Sequence, residues 1–147
     1  MKSKPGSQPS SSASGAGTGP VLLLRGKSVT ASSSSGHGWR PELALDGDAS
    51  TRWSSEWSDP QWISVDLGAT ARVSSVVLQW ENYATDYQIQ LSDDAAHWHA
   101  LCVVVSGDGT ESCQNSGTGR YVRMYGTGRE NSYGYSLWEL KIFGRLL

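Results

Sequence analysis

The run Q-W-I-S-V-D-L-G, Gln61 to Gly68, sets Ile63, Val65 and Leu67 on one side and Trp62, Ser64 and Asp66 on the other. Apolar residues at every second position read as a strand buried on one face. The same period recurs in Val76, Leu78 and Trp80, in Tyr87, Ile89 and Leu91, in Val122 and Met124, and in Trp138, Leu140 and Ile142. Turn-forming clusters separate the runs: D-L-G-A-T from Asp66, S-D-D-A-A from Ser92 and S-G-D-G-T from Ser106. No stretch sustains a helical period. Short strands at regular spacing, with no helix between them, predict an all-β fold: an antiparallel β-sandwich of the jelly-roll kind.

The 147 residues suffice for one domain with a real core, but the first twenty are not expected to join it. M-K-S-K-P-G-S-Q-P-S-S-S-A-S-G-A-G-T-G-P has no apolar pattern and is rich in Ser, Gly and Pro, the composition of a flexible linker. The folded domain is therefore expected over residues 21–147. A net charge of −2 with interspersed signs makes no basic field, which argues against nucleic acid and against an anionic membrane as partners. Seven Trp and six Tyr against one Phe is a more telling bias. Such rings fill cores, but their flat faces and polar edges also serve binding sites. The loops expected over residues 32–41, 54–60, 82–86 and 127–135 are longer than strand connections require and carry aromatics, so function is expected there.

A-L-D-G-D-A-S-T-R-W, Ala44 to Trp53, packs two carboxylates, a threonine hydroxyl and a tight glycine turn into one short loop, and Glu139 opens the last strand. Oxygen donors of this kind suit a hard cation, and Ca²⁺ takes about six to eight of them. A structural calcium tying this loop to the final strand is the expectation, with a solvated acidic turn as the alternative.

Cys102 and Cys113 flank a segment read as a hairpin turning at Gly107-Asp108, and counting outward from that turn sets the two cysteines opposite each other. A disulfide is sterically reasonable there, and disulfides persist in oxidising compartments; two buried free thiols are the alternative. Val21 to Leu24 is too short for the apolar region of a secretory signal. The chain reads as a module of a longer secreted protein.

The elements L-D-G-D-A-S-T-R-W, P-Q-W-I-S-V-D-L-G, Y-Q-I-Q-L-S-D-D-A-A-H-W, R-Y-V-R-M-Y-G and Y-G-Y-S-L-W-E-L-K-I-F-G, in this order, resemble the discoidin-like or coagulation factor 5/8 type C modules. Within them the likeness is to carbohydrate-binding module family 32, and above all to the discoidin-like modules of chitosanases. The resemblance implies an eight-stranded jelly roll with one structural calcium. Its ligands would be the side chains of Asp46, Thr51 and Glu139, with Asp48 and the carbonyls of Leu43 and Trp138 completing the shell. It also implies a shallow sugar cleft at the loop end, formed here by Arg52, Trp57, Glu81 and Tyr133 with Ser35 on the first loop. Ser35 departs from the pattern, which has a carboxylate there. Galactose-binding members carry a His just after the T-x-W element and an Arg and an Asn beyond the fourth-strand region. Here Ser54 and Glu81-Asn82-Tyr83 stand in those places, which disfavours galactose.

The chemistry of these residues fits a β-linked glucose or glucosamine chain. Axial C–H bonds lie flat on an indole such as Trp57, Arg52 offers a planar fork of donors, and Glu81 can accept from hydroxyls or pair with a protonated amine. Each has a plainer reading: Trp57 as core, Arg52 as a salt bridge beneath the calcium loop, Glu81 and Tyr133 as solvated loop residues. The resulting expectation is a non-catalytic module, monomeric within a larger secreted enzyme, that binds chitosan or β-1,3-glucan and brings a glycoside hydrolase to its substrate.

Catalysis finds little support. Glycosidases need two carboxylates roughly 5 to 9 Å apart across a cleft; Asp46 with Glu139 fits calcium better, and Glu81 with Asp86 has no visible neighbour to raise one pKa. His37, His97 and His99 are scattered, the last two flanking Trp98 on a strand edge. The other alternative is a lipid- or protein-binding discoidin module with Trp39 and Arg40 as a membrane spike. The negative charge and polar loops weigh against it.

Overall fold

The structure is a computed structural model that describes residues 20–23 and 28–147. Apart from Pro20, the expected linker lies outside the described residues. Among them are eight strands, all paired antiparallel: β1 (Val21–Leu22), β2 (Ser28–Ala31), β3 (Trp53–Ser54), β4 (Gln61–Asn82), β5 (Ala84–Ser92), β6 (His99–Val104), β7 (Gly117–Arg129) and β8 (Ser136–Leu146). Two short 3-10 turns, His37–Trp39 and Pro41–Ala44, stand in the first loop. They are too short for any periodicity to announce.

The antiparallel β-sandwich is organised by β4, which serves both layers. Its first part pairs with β2 and β7; beyond Ala71 it runs beside β8, which in turn carries β1 and β3. D-L-G-A-T is thus a bend within one strand and not a turn between two. The register shifts between Asp66 and Ala71, and Gly68 sits at φ +85°, a conformation open to glycine without penalty. β5 and β6 extend the first layer beyond β7.

The alternation seen at Ile63, Val65 and Leu67 fills the interior, together with Val76, Leu78, Tyr87, Ile89, Leu91, Val122, Met124, Leu140 and Ile142. Trp138 departs from the expectation. The register passes from Gln79↔Glu139 to Trp80↔Leu137, so Trp138 is an extra, bulged residue. Leu137 takes the core position with no exposure, while Trp138 is half-buried. A bulge swaps the faces on its two sides, which period counting cannot foresee.

Two loop expectations are also corrected. Residues 82–86 are not a loop: only Tyr83 separates β4 from β5, and Ala84 already pairs with Arg129. The polar side chain of Asn82 is buried and donates to Gly134 O at 2.7 Å and to Asn131 Oδ1 at 3.0 Å, so tertiary partners replace the solvent a turn would need. Nor do Cys102 and Cys113 face each other across a hairpin. Cys102 lies on β6 opposite Ile89, while Cys113 exchanges both backbone hydrogen bonds with Val76 of β4, on the edge away from β8. The disulfide between them forms nonetheless, and it links the outer strand of one layer to the edge of the other.

Candidate functional site

Four stretches of chain bring the cleft together at one end of the sandwich. β3 pairs with β8 through Trp53↔Leu137 and Ser54↔Ser136, which sets the Arg52–Trp57 segment beside the Tyr133–Ser136 segment. β4 adds Glu81 and Asn82 by pairing Asn82 with Ser136. The first loop is drawn in by Ser35 N–H donating to Ser54 O at 2.9 Å and by the fully buried Trp53, whose Nε1 donates to Ser33 O at 3.0 Å.

These contacts close on a cavity of about 320 Å³ lined by all five residues expected at a sugar site, Ser35, Arg52, Trp57, Glu81 and Tyr133. Trp39, Ser54, Asn82, Gly134 and Ser136 line it as well. Sequence reading missed these. In the sequence Trp39 fits the rival membrane reading equally well, and the small polar residues carry no local signal.

Arg52 is the centre of the cavity. Its Nη1 donates to Glu81 Oε1 at 2.7 Å, Ser136 Oγ at 2.9 Å and Ser54 Oγ at 3.1 Å. The guanidinium lies 4.3 Å from the ring centroid of Trp39 and 5.6 Å from that of Trp138, cation–π contacts that fix its plane. Nη2 and Nε have no partner among the described residues. Arg52 is thus salt-bridged to Glu81 within the cleft and not beneath the acidic loop, and Nη2 and Nε of the same group stay unpaired.

Trp57 and Tyr133 form the rim, 63% and 57% exposed. Their rings meet edge to face, centroids 5.2 Å apart. Tyr133 is held through its main chain: its N–H donates to Asn131 Oδ1 at 3.0 Å, and its carbonyl accepts from Arg129 Nη1 at 3.3 Å. Arg129 is itself paired with Asp59 at 3.2 Å, and Asp59 also accepts from the hydroxyl of buried Tyr135. Burial first, then Asp59, raises the Tyr135 phenol and keeps it a donor. Exposed rings on a pinned backbone can stack a flat ligand with little further ordering.

The acidic loop forms a separate cluster. Thr51 Oγ1 donates to Asp46 Oδ2 at 2.6 Å and lies 3.1 Å from Asp48 O and 3.5 Å from Leu43 O. Asp48 turns its carboxylate away, to the N–H and hydroxyl of Ser50 at 2.9 and 2.6 Å, so it offers its carbonyl to the cluster and not its side chain. Glu139, brought in by the bulge at Trp138, is buried, and its Oε2 has no partner. Burial, with the Asp46 carboxyl hydrogen-bonded beside it, pushes Glu139 up to about 7. Among the described residues no three His, Cys, Asp or Glu side chains gather as a metal site; the donors here are two carboxyls with hydroxyl and carbonyl oxygens. That set fits Ca²⁺, and the orphaned Glu139 oxygen supplies the vacant acceptor such an ion would use.

Of the pairs considered for catalysis, Asp46 and Glu139 meet within the acidic cluster, and Glu81 and Asp86 do not share a cleft. Glu81 is bound to Arg52, and Asp86 lines a different cavity, beside Tyr87 and Gln88. His97 and His99 are exposed, as expected, with His97 Nδ1 2.8 Å from Asp94 Oδ2. No helix of the described residues is long and apolar enough to cross a membrane.

Residues 28–140 match the F5/8 type C domain family. Among solved structures, chitosan-binding module 1 from the chitosanase/glucanase of Paenibacillus sp. IK-5 is 42% identical, with a TM-score of 0.80 over 84% of this chain and 99% of that one. Module 2 of the same enzyme, solved in complex with chitotriose, is 38% identical with a TM-score of 0.79, over 82% and 98%. Among curated proteins, the polysaccharide lyase 8 family protein HylA of Enterococcus faecalis (strain ATCC 700802 / V583) is 34% identical over 62 residues. That match spans 42% of this chain and only 4% of the lyase.

Proposed function

The chain belongs to the F5/8 type C domain family, and we propose that it is a non-catalytic carbohydrate-binding module of family 32 type, holding a β-linked polysaccharide near a tethered glycoside hydrolase. The substrate class is chitosan or β-1,3-glucan. The observation that carries this reading is the exposed Trp57–Tyr133 pair lining the same cavity as an Arg52 fork with unpartnered donors. One sugar ring stacks on the aromatic rim while its hydroxyls meet Arg52 Nη2 and Nε. The similarity to two chitosan-binding modules, one solved in complex with chitotriose, supports the same class.

Trp39 supports the sugar reading over the lipid one, because its ring covers Arg52 inside the cleft. The disulfide favours an oxidising, extracytoplasmic setting, so a module of a secreted enzyme over residues 21–147 is the proposed context. A shallow site of this kind binds weakly, with a dissociation constant on the order of 10 μM to 1 mM. Affinity electrophoresis in soluble chitosan and in laminarin tests it. Retardation in at least one gel is expected, and free migration in both would refute the reading.

The second proposal is a structural calcium held by Asp46, Thr51 and Glu139 with the carbonyls of Leu43, Asp48 and Trp138. The ion would supply the positive charge that lets both carboxyls ionise together. Asp46 and Thr51 then fix the loop, and Glu139 fixes the loop to β8.

A further inference from the structure

Resting on the carbohydrate-binding reading, we propose that Glu56, and not Glu81, recognises the protonated amine of a glucosamine unit, in a second sugar position on the far side of Trp57. A cavity of about 670 Å³ lined by Ser34, Ser35, Gly36, Trp39, Glu56 and Trp57 adjoins the first. Ser35, Trp39 and Trp57 line both, so the two form one groove with the exposed indole between them. An oligosaccharide stacked on Trp57 therefore has room on either side of the ring.

The main chain of Glu56 is fixed at both polar groups. Its N–H donates to Ser33 Oγ at 2.9 Å, and its carbonyl accepts from Ser55 Oγ at 2.8 Å and Ser58 N at 3.0 Å. Its carboxylate, by contrast, has no hydrogen-bond or ion-pair partner among the described residues and is open to solvent. A pinned backbone carrying a free carboxylate into a groove is a positioned acceptor that no internal group uses.

Glu81 is differently placed. Its Oε1 is taken by Arg52 at 2.7 Å, and an amine there would have to compete with a guanidinium already in contact. Within the joined groove one guanidinium stands against two carboxylates, so the uncompensated charge is that of Glu56. A cationic ligand answers that charge with a charge-assisted hydrogen bond. Because Glu56 is exposed, its contribution is modest and screened by salt. Glu81 acts as a positioning residue that holds Arg52 for sugar hydroxyls.

The test is titration calorimetry of the full chain, at low salt and at a pH below the amine pKa, with the β-1,4 glucosamine tetramer and with cellotetraose, in which hydroxyls replace the amines. Wild type is expected to prefer the glucosamine tetramer. Glu56→Gln should reduce that preference by about twofold to fivefold, and 0.5 M salt should do the same to wild type. Glu81→Gln should weaken both sugars by similar factors and keep the preference. A preference that survives Glu56→Gln but collapses in Glu81→Gln would overturn the assignment while leaving the binding function intact. Wild type that binds neither sugar would instead overturn the chitosan arm of the carbohydrate reading, on which this assignment rests.

Discussion

Glu139 on β8 faces Asp46 in the loop ahead of β3, carboxyl against carboxyl, with Glu139 Oε2 buried and unpartnered. Burial of a second acid beside the first disfavours its charged form, so the pair is unfavourable once both are ionised, a state that a divalent cation would turn into a favourable one. Calcium at about a hundredfold over its dissociation constant contributes about 2.7 kcal/mol. For a domain of this size that raises the melting temperature by on the order of 10 °C. Asp46→Ala and Glu139→Gln should each abolish the rise, read by thermal unfolding with calcium and with chelator. An identical wild-type melting curve in the two conditions would remove the ion from the account.

The disulfide joins β6 to a segment bridged to β4 across a sequence separation of 11. Loop-closure entropy for a ring of that length is worth about 3 kcal/mol in the chain-entropy model. Replacing both Cys102 and Cys113 by Ala should lower unfolding stability by roughly that amount, measured by urea titration. Two reactive thiols in unfolded, unreduced protein would contradict the bridge.

Gly134 is a steric requirement of the site. A Cβ there would stand 2.2 Å from Ser55 O, and this close approach is what seats the Tyr133–Tyr135 segment against β3. Gly134→Ala should cost about 1–3 kcal/mol of stability and weaken sugar binding as Tyr133 is displaced. Calorimetry and a melting curve together check it, and unchanged values in both would show that the loop tolerates the shift.

Arg52 should be irreplaceable by lysine. A point ammonium can keep the ion pair with Glu81, but it cannot supply the planar fork left open at Nη2 and Nε, nor the stacking on Trp39. Arg52→Lys is expected to lose about tenfold in affinity for charged and neutral sugars alike, by calorimetry. Full affinity in that variant would mean the fork is not used.

The strands were legible because one face of each is buried, and period two follows from that alone. Trp138 was misplaced because a bulge is set by pairing with β4 and leaves no trace in local alternation. The turn expected over residues 82–86 failed for a related reason: Asn82 looks like a turn residue until Gly134 and Asn131 satisfy its amide. At the cleft, the resemblance named five residues that the fold does bring to one cavity. Trp39 and Glu56 became visible only when the first loop and the β3 loop met through Ser35 and Ser33, contacts between residues about twenty positions apart. Convergence of loops is a tertiary property, and composition alone could say only that the loops were rich in aromatics.

The central claim rests on Trp57, whose ring is 63% exposed and packs edge to face against Tyr133 without entering the core. The most direct measurement is titration calorimetry of Trp57→Ala against glucosamine and β-1,3-glucan oligosaccharides, with a melting curve on the same sample. Binding heats should vanish for every sugar that wild type binds, while the melting temperature stays within a degree or two, as expected for an exposed side chain. Wild-type heats retained in Trp57→Ala would contradict the account and place the sugar elsewhere on the molecule.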